Sequence, residues 1–156
     1  MDIRPLLIDD TNPLHRELPI YRQGSINRIA LKDDTYTTYG SIGIDAHNYA
    51  AFFHYHIPEA LNDLPFLSES GNGLESWDEA YLHNHSLHGM IRILEQCLPS
   101  IRTAAAERIV LGWHERPVPV GYVRDIDPLQ FVRFLEALVV FAKESAESGK
   151  DLEFIL

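Results

Sequence analysis

Residues 127–149 read DPLQFVRFLEALVVFAKESAESG, and their reading decides the fold. Phe131, Phe134, Leu135, Leu138, Val139 and Phe141 recur at helical spacing and give a wide apolar face. Asp127 can cap the free N–H groups at the start, Pro128 has no N–H to lose in a first turn, and Gln130 occupies the capping-box position. Gly149 can take the left-handed conformation on which helices end. The pattern predicts a helix over 128–148 with its apolar face at the centre of the core.

Working outward, SWDE at 76–79 carries a second capping pattern, with Ser76 as N-cap and Glu79 three residues on. Ala80, Leu87, Met90, Ile91, Leu94 and Leu98 follow at helical spacing until Pro99, so a helix is expected over 77–98. Most of the remainder reads as strand. INRIALK (26–32) alternates, and Asp33-Asp34 before TYTTYGSIGI (35–44) predicts a hairpin with Tyr36 and Tyr39 on opposite faces. RIVLGW (108–113) is a short apolar strand. VPVGYV (118–123) can form another strand, although Pro117 and Pro119 push the segment between them toward an edge or a loop. DLEFIL (151–156) alternates Leu152, Phe154 and Leu156 and can close a sheet, while SESGNG (68–73) is the clearest loop.

One segment fits two descriptions. DAHNYAAFFHYHIP (45–58) is either a helix capped by Asp45, with Ala46, Tyr49, Ala50 and Phe53 inward, or an aromatic-rich strand. The fold class is the same in both cases. A single α+β domain over 1–156 is expected, with an antiparallel or mixed sheet packed on two main amphipathic helices.

At 156 residues the chain can bury a core without staples. Its one cysteine, Cys97, allows no intramolecular disulfide and fits a reducing compartment. The opening MDIRPLLIDD lacks the basic and long apolar regions of a secretion signal, so a cytoplasmic location is expected. The net charge of −10, with thirteen scattered lysines and arginines, argues against nucleic acid and anionic membranes and favours a basic partner.

No zinc-protease, paired-cysteine, phosphate-loop, dinucleotide or nucleophile-elbow motif occurs. His114 and Glu115 are neighbours that a strand would turn to opposite faces, and Cys97 sits where a packing residue belongs. No catalytic residue, cofactor or metal is expected. The histidines of YLHNHSLHGM (81–90) test that expectation. On a regular helix His85 and His88 share a face, whereas His83 lies about 160 degrees from His85 at ~100 degrees per residue. A third metal ligand, His54 or His56, joins that pair only if 45–58 is a strand. The preferred reading therefore has His83 packing at the core edge and the others solvated or hydrogen-bonded.

Between Lys32 and Arg92 lie nine acids, six of the eight histidines and no lysine or arginine. Helix starts and turns account for part of this, because acids face the positive end of a helix dipole favourably. They do not account for basic residues missing over 33–91. The stretch predicts a negative surface for a protein partner, built from Glu59, Asp63, Glu69, Glu75, Asp78 and Glu79, with His85 and His88 beside them.

Size, acidity, α+β character and the lack of catalytic motifs together resemble the immunity proteins of bacterial polymorphic-toxin and contact-dependent growth inhibition systems. That resemblance is one of type across the whole chain and transfers no residue roles. It implies a non-catalytic protein that binds and neutralises one cognate, basic toxin domain. The alternatives are a metal-dependent enzyme using His54, His56, His85 and His88, and a structural or regulatory subunit that oligomerises through the apolar 128–148 helix.

Overall fold

The computed structural model describes residues 3–7, 16–22, 29–32, 35–38, 40–71, 73–75 and 79–155. In chain order the elements are β1 (Arg4–Leu7), β2 (Arg16–Arg22), β3 (Ile29–Lys32), β4 (Thr35–Thr38), β5 (Ser41–Asp45), α1 (Ala46–His54) and α2 (Ile57–Leu61). After a short 3-10 turn at Gly73–Glu75 come β6 (Ala80–Leu82), a second such turn at Asn84–Ser86, α3 (Leu87–Arg102), β7 (Glu107–His114), β8 (Val120–Ile126), α4 (Pro128–Glu147) and β9 (Leu152–Phe154). The chain is an α+β protein. Among the described residues no helix is long and apolar enough to cross a membrane.

The C-terminal helix forms as its sequence dictates. Leu129 N–H donates to Asp127 Oδ1 at 3.0 Å, and Pro128 occupies the first turn. At the far end Gly149 has φ +66. Its N–H reaches Ala146 O at 3.1 Å, and Lys150 N–H reaches Ser145 O at 2.8 Å. Those two bonds are a Schellman closure, which satisfies carbonyls that the helix would otherwise leave unpaired. Phe131, Phe134, Leu135, Leu138, Val139 and Phe141 are all buried. The apolar face is thus spent inside the chain, against α3 and α1.

The second helix differs from expectation at both ends. Ala80, Tyr81 and Leu82 form β6, paired antiparallel with Phe154, Glu153 and Leu152 of β9, and α3 starts at Leu87. Burial alternates through β6, with Ala80 and Leu82 in and Tyr81 out, so this short piece follows the period of a strand. The proposed cap Ser76 and its neighbours to Asp78 lie outside the described residues. Pro99 does not stop α3, which continues to Arg102. Proline removes one backbone bond, but its ring is exposed here and the extra turn buries Ile101.

The 45–58 segment is helical. Asp45 caps α1, accepting from Asn48 N–H at 2.7 Å. The buried face is His47, Asn48, Ala51 and Phe52, not the expected Ala46, Tyr49, Ala50 and Phe53. His56, at φ +57, makes the corner into α2. Residues 35–44 are not one strand either. Gly40, at φ +76, breaks them into β4, which pairs with β3, and β5, which pairs with β2. Tyr39 lies outside the described residues.

Two further sheets complete the fold. One is antiparallel with order β5-β2-β9-β6, and the other is mixed with order β1-β8-β7. β8 is therefore a middle strand, and VPVGYV supplies its first four residues. It begins at Val120, so both prolines fall before its ladder. The inward residues Ile20, Ile44, Leu82, Leu152 and Phe154 meet α3 and α4 in one core. α1 touches β2, β5, β8 and α4, and so joins the two sheets.

Candidate binding surface

The acids of the 59–79 stretch start on α2. Glu59 is exposed there, with His56 Nδ1 3.8 Å from its carboxylate, and Asp63 is exposed in the following turn. Glu69 is exposed in the loop beyond. Glu75 lies in the first 3-10 turn, and Asp78 falls outside the described residues. Glu79 is exposed immediately before β6.

Two backbone bonds bring these positions toward one edge. Leu67 N–H donates to Tyr81 O and Tyr81 N–H to Leu67 O, both at 2.8 Å. This isolated bridge holds the loop after α2 against β6, the outer strand of its sheet. Leu67, 68 % exposed, and Tyr81, 36 % exposed, sit among the acids as apolar surface.

The pairing of β6 with β9 adds Glu153, a carboxylate that local sequence did not single out. Tyr81 Oη donates to Glu79 Oε2 at 2.7 Å and stands 3.2 Å from Glu153 Oε1. The hydrogen bond from Tyr81 holds Glu79 below the usual carboxylate range, helped by a bond from Glu153. Burial pushes Glu153 upward, and its bond to Glu79 adds to the shift. Tyr81's phenol is raised, chiefly by its bond to Glu79. The two carboxyls are thus pushed apart, Glu79 downward and Glu153 upward, and a cation from a partner would favour ionisation of both. Alternation in DLEFIL had already placed Glu153 opposite to Leu152 and Phe154, so its outward direction was readable.

Next to this cluster, Asp151 Oδ1 accepts from the backbone N–H and the side-chain amide of Asn84, each at 2.8 Å. The Asn84 backbone bond is the main cause of a lowered Asp151 pKa, with its side chain and the nearby His83 and His85 contributing. His83 is exposed, not at the core edge. Its Nδ1 accepts from His85 N–H at 3.2 Å, and its ring meets that of His85 edge-on at 4.4 Å between centroids. His88 is exposed in the first turn of α3. His85 and His88 therefore do not share one regular helix face, because the chain changes from a 3-10 turn to an α-helix between them.

A depressed aspartate stabilises the fold fully above its unfolded value and loses that contribution as pH falls through the folded value. Asp151→Asn should lower Tm at pH 7. The gap to the parent should close as pH drops below ~4, where an unfolded aspartate itself protonates. A gap that persisted unchanged at pH 3 in thermal melts would assign the loss to packing around Asn84 and not to charge.

The metal-enzyme alternative needed His54 or His56 on a strand, and both lie at helix ends instead. His54 contacts Glu107, while His56 faces Glu59. Among the described residues no three His, Cys, Asp or Glu side chains gather in a metal-binding group. A groove of about 590 Å³ runs between α1 and β7, walled mainly by Tyr49, Phe53, Ile109 and Leu111, with Arg124 also lining it. No family model, curated protein or solved structure matches the chain.

Proposed function

We propose that this chain is a non-catalytic acidic binding protein of the immunity type, which holds and neutralises a cognate basic toxin domain in the cytoplasm. The observation carrying this reading is the Leu67–Tyr81 bridge within a stretch that has no lysine or arginine. It draws the segment bearing Asp63 and Glu69 alongside Glu79 and Glu153. Among the described residues the Lys and Arg ion pairs, such as Arg102–Glu136, Arg108–Asp125 and Lys143–Glu95, fall outside 33–91. Asp63, Glu69 and Glu79 thus offer their charge to the cations of a partner. Leu67 and Tyr81 give a partner an apolar contact within a charged rim, the arrangement in which buried anchors contribute most.

Long-range attraction acts on encounter, so the partner's on-rate should fall as salt rises from 0.01 M, where the Debye length is ~30 Å, to 0.15 M, where it is ~8 Å. Asp63→Asn, Glu69→Gln and Glu79→Gln combined should slow association more than Glu95→Gln, Glu115→Gln and Glu136→Gln combined. Both sets remove the same formal charge. The measurement is surface-plasmon kinetics against the basic domain encoded beside this chain, or the partner recovered by pull-down. Equal slowing by the two sets would mean that only net charge acts, and the localised surface would be abandoned.

A further inference from the structure

β7 is the outer strand of the β1-β8-β7 sheet, and among the described residues no strand pairs with its far side. Its middle residues are apolar and open, with Val110 68 %, Leu111 46 % and Trp113 57 % exposed. An uncovered strand edge is a template for another strand, and folds usually blunt it with charge, proline, a covering element or a bulge. Among the described residues the middle of β7 has only the last of these, at Val110/Gly112. Ile109–Trp113 carries neither charge nor proline. Beside it, Trp113, Val110 and Val123 join Ile3 and Pro5 around an apolar hollow of about 200 Å³.

We propose that the occupant of this edge is a second copy of the same chain, paired antiparallel through β7 into a two-fold dimer with one continuous sheet. The register within the sheet makes β7 complementary to itself. Glu107 lies opposite Ile126 and His114 opposite Val120. Ile126 and Val120 are an even number of residues apart on β8, so they face the same way. Glu107 and His114 therefore share a face, although a regular strand would set them on opposite ones. The extra residue at the Val110/Gly112 register shift resets the alternation. By the same argument Arg108 and Trp113, opposite Asp125 and Gly121, share the other face.

An antiparallel pair with its axis at the middle of the strand sets Glu107 against His114 of the partner subunit. It also sets Arg108 against Trp113 of the partner subunit. These are a carboxylate facing an imidazole and a guanidinium facing an indole, both favourable cross-strand pairs. Parallel pairing would set like against like. Charge also selects this surface for self-association. Residues 102–126 hold four arginines and three acids in a chain of net charge −10, so two copies repel less here than across the acid-only stretch. An isologous contact closes on itself and does not propagate into a fibre.

The test is sedimentation equilibrium of the full chain, whose protomer mass is 17.8 kDa. A concentration-dependent rise to twice that mass is expected over about 1–100 µM. Val110→Lys alters an exposed side chain, so its fold should survive, as circular dichroism will check, while dimer dissociation rises at least ~10-fold. Glu107→Lys and His114→Glu should each weaken the dimer singly and restore it when combined in one chain. A parent that stays monomeric throughout overturns the proposal, even if some other protein is found on β7. A dimer indifferent to Val110→Lys, or one that the double swap fails to restore, places the contact elsewhere and overturns it equally.

Discussion

Phe131→Ala should cost the fold ~3–5 kcal/mol, among the largest losses available to a single truncation. The ring is fully buried. It stacks on Tyr55 at 5.5 Å between centroids and on Phe134 at 6.1 Å, which ties the end of α1 to the start of α4. Removing it leaves a hole between elements already held by other contacts, so collapse can recover only part of the loss. One feature of the site moderates the cost. Tyr55 Oη is buried with no hydrogen-bond partner among the described residues, and burial raises its pKa ahead of the effects of Glu107 and Asp127. Water entering the new cavity would solvate that hydroxyl. Val140→Ala, at a side chain 54 % exposed on the same helix, serves as the control and should change stability by less than ~0.5 kcal/mol. Chemical denaturation giving similar small losses for both would mean that the apolar face of α4 is open, as an oligomer interface would require.

α4 was legible in its cap, its period and its stop, which are local signals that agree, but not in its capping box, because the Asp127 N–H expected to meet Gln130 goes to His47. α1 was legible only in part. The Asp45 cap is local, but the direction of burial is set by what surrounds the helix. α1 touches both sheets and α4, so its buried face turns toward His47, Ala51 and Phe52, while Phe53 lines a groove and stays 38 % exposed. β6 was hidden for a related reason. Three residues have no strand signal of their own, and they are extended because β9, about seventy positions later, pairs with them (Tyr81 to Glu153 spans 72). The capping pattern at Ser76–Glu79 outweighed that distant partner.

β2 carries a local signal against an inner strand, Pro19. Pro19 pairs opposite Gly43 of β5, and the ladder with β9 begins only at Ile20, so the proline is clear of that second partner. The candidate surface divides the same way. The missing lysines and arginines are a fact of composition, visible at once. The convergence of Glu79 with Glu153, and of Asn84 with Asp151, depends on β6–β9 pairing and was not visible.

His47→Leu should destabilise the fold by ~2–4 kcal/mol although it keeps an apolar side chain of similar size, because two polar groups lose their partner at ~1–3 kcal/mol each. The imidazole is 5 % exposed on the buried face of α1. The Asp127 backbone N–H donates to its Nε2 at 2.9 Å, which makes Nε2 an acceptor. Nδ1 then carries the proton and donates to Asn48 Oδ1, 3.0 Å away. This neutral tautomer links α1 to the residue that caps α4, and Asp127 needs its backbone held to keep its side chain on Leu129 N–H. A ring that merely filled space would be replaced well by leucine. His47→Gln separates the two roles, since its side-chain carbonyl can accept from Asp127 N–H and its amide can donate to Asn48. Glutamine should recover a substantial part of the loss, and native-state hydrogen exchange at the Asp127 amide should accelerate more in the leucine variant than in the glutamine one. Equal stabilities and equal exchange for the two variants would show that the ring acts by shape alone, and the hydrogen-bonded link from α1 to α4 would carry none of the energy assigned to it.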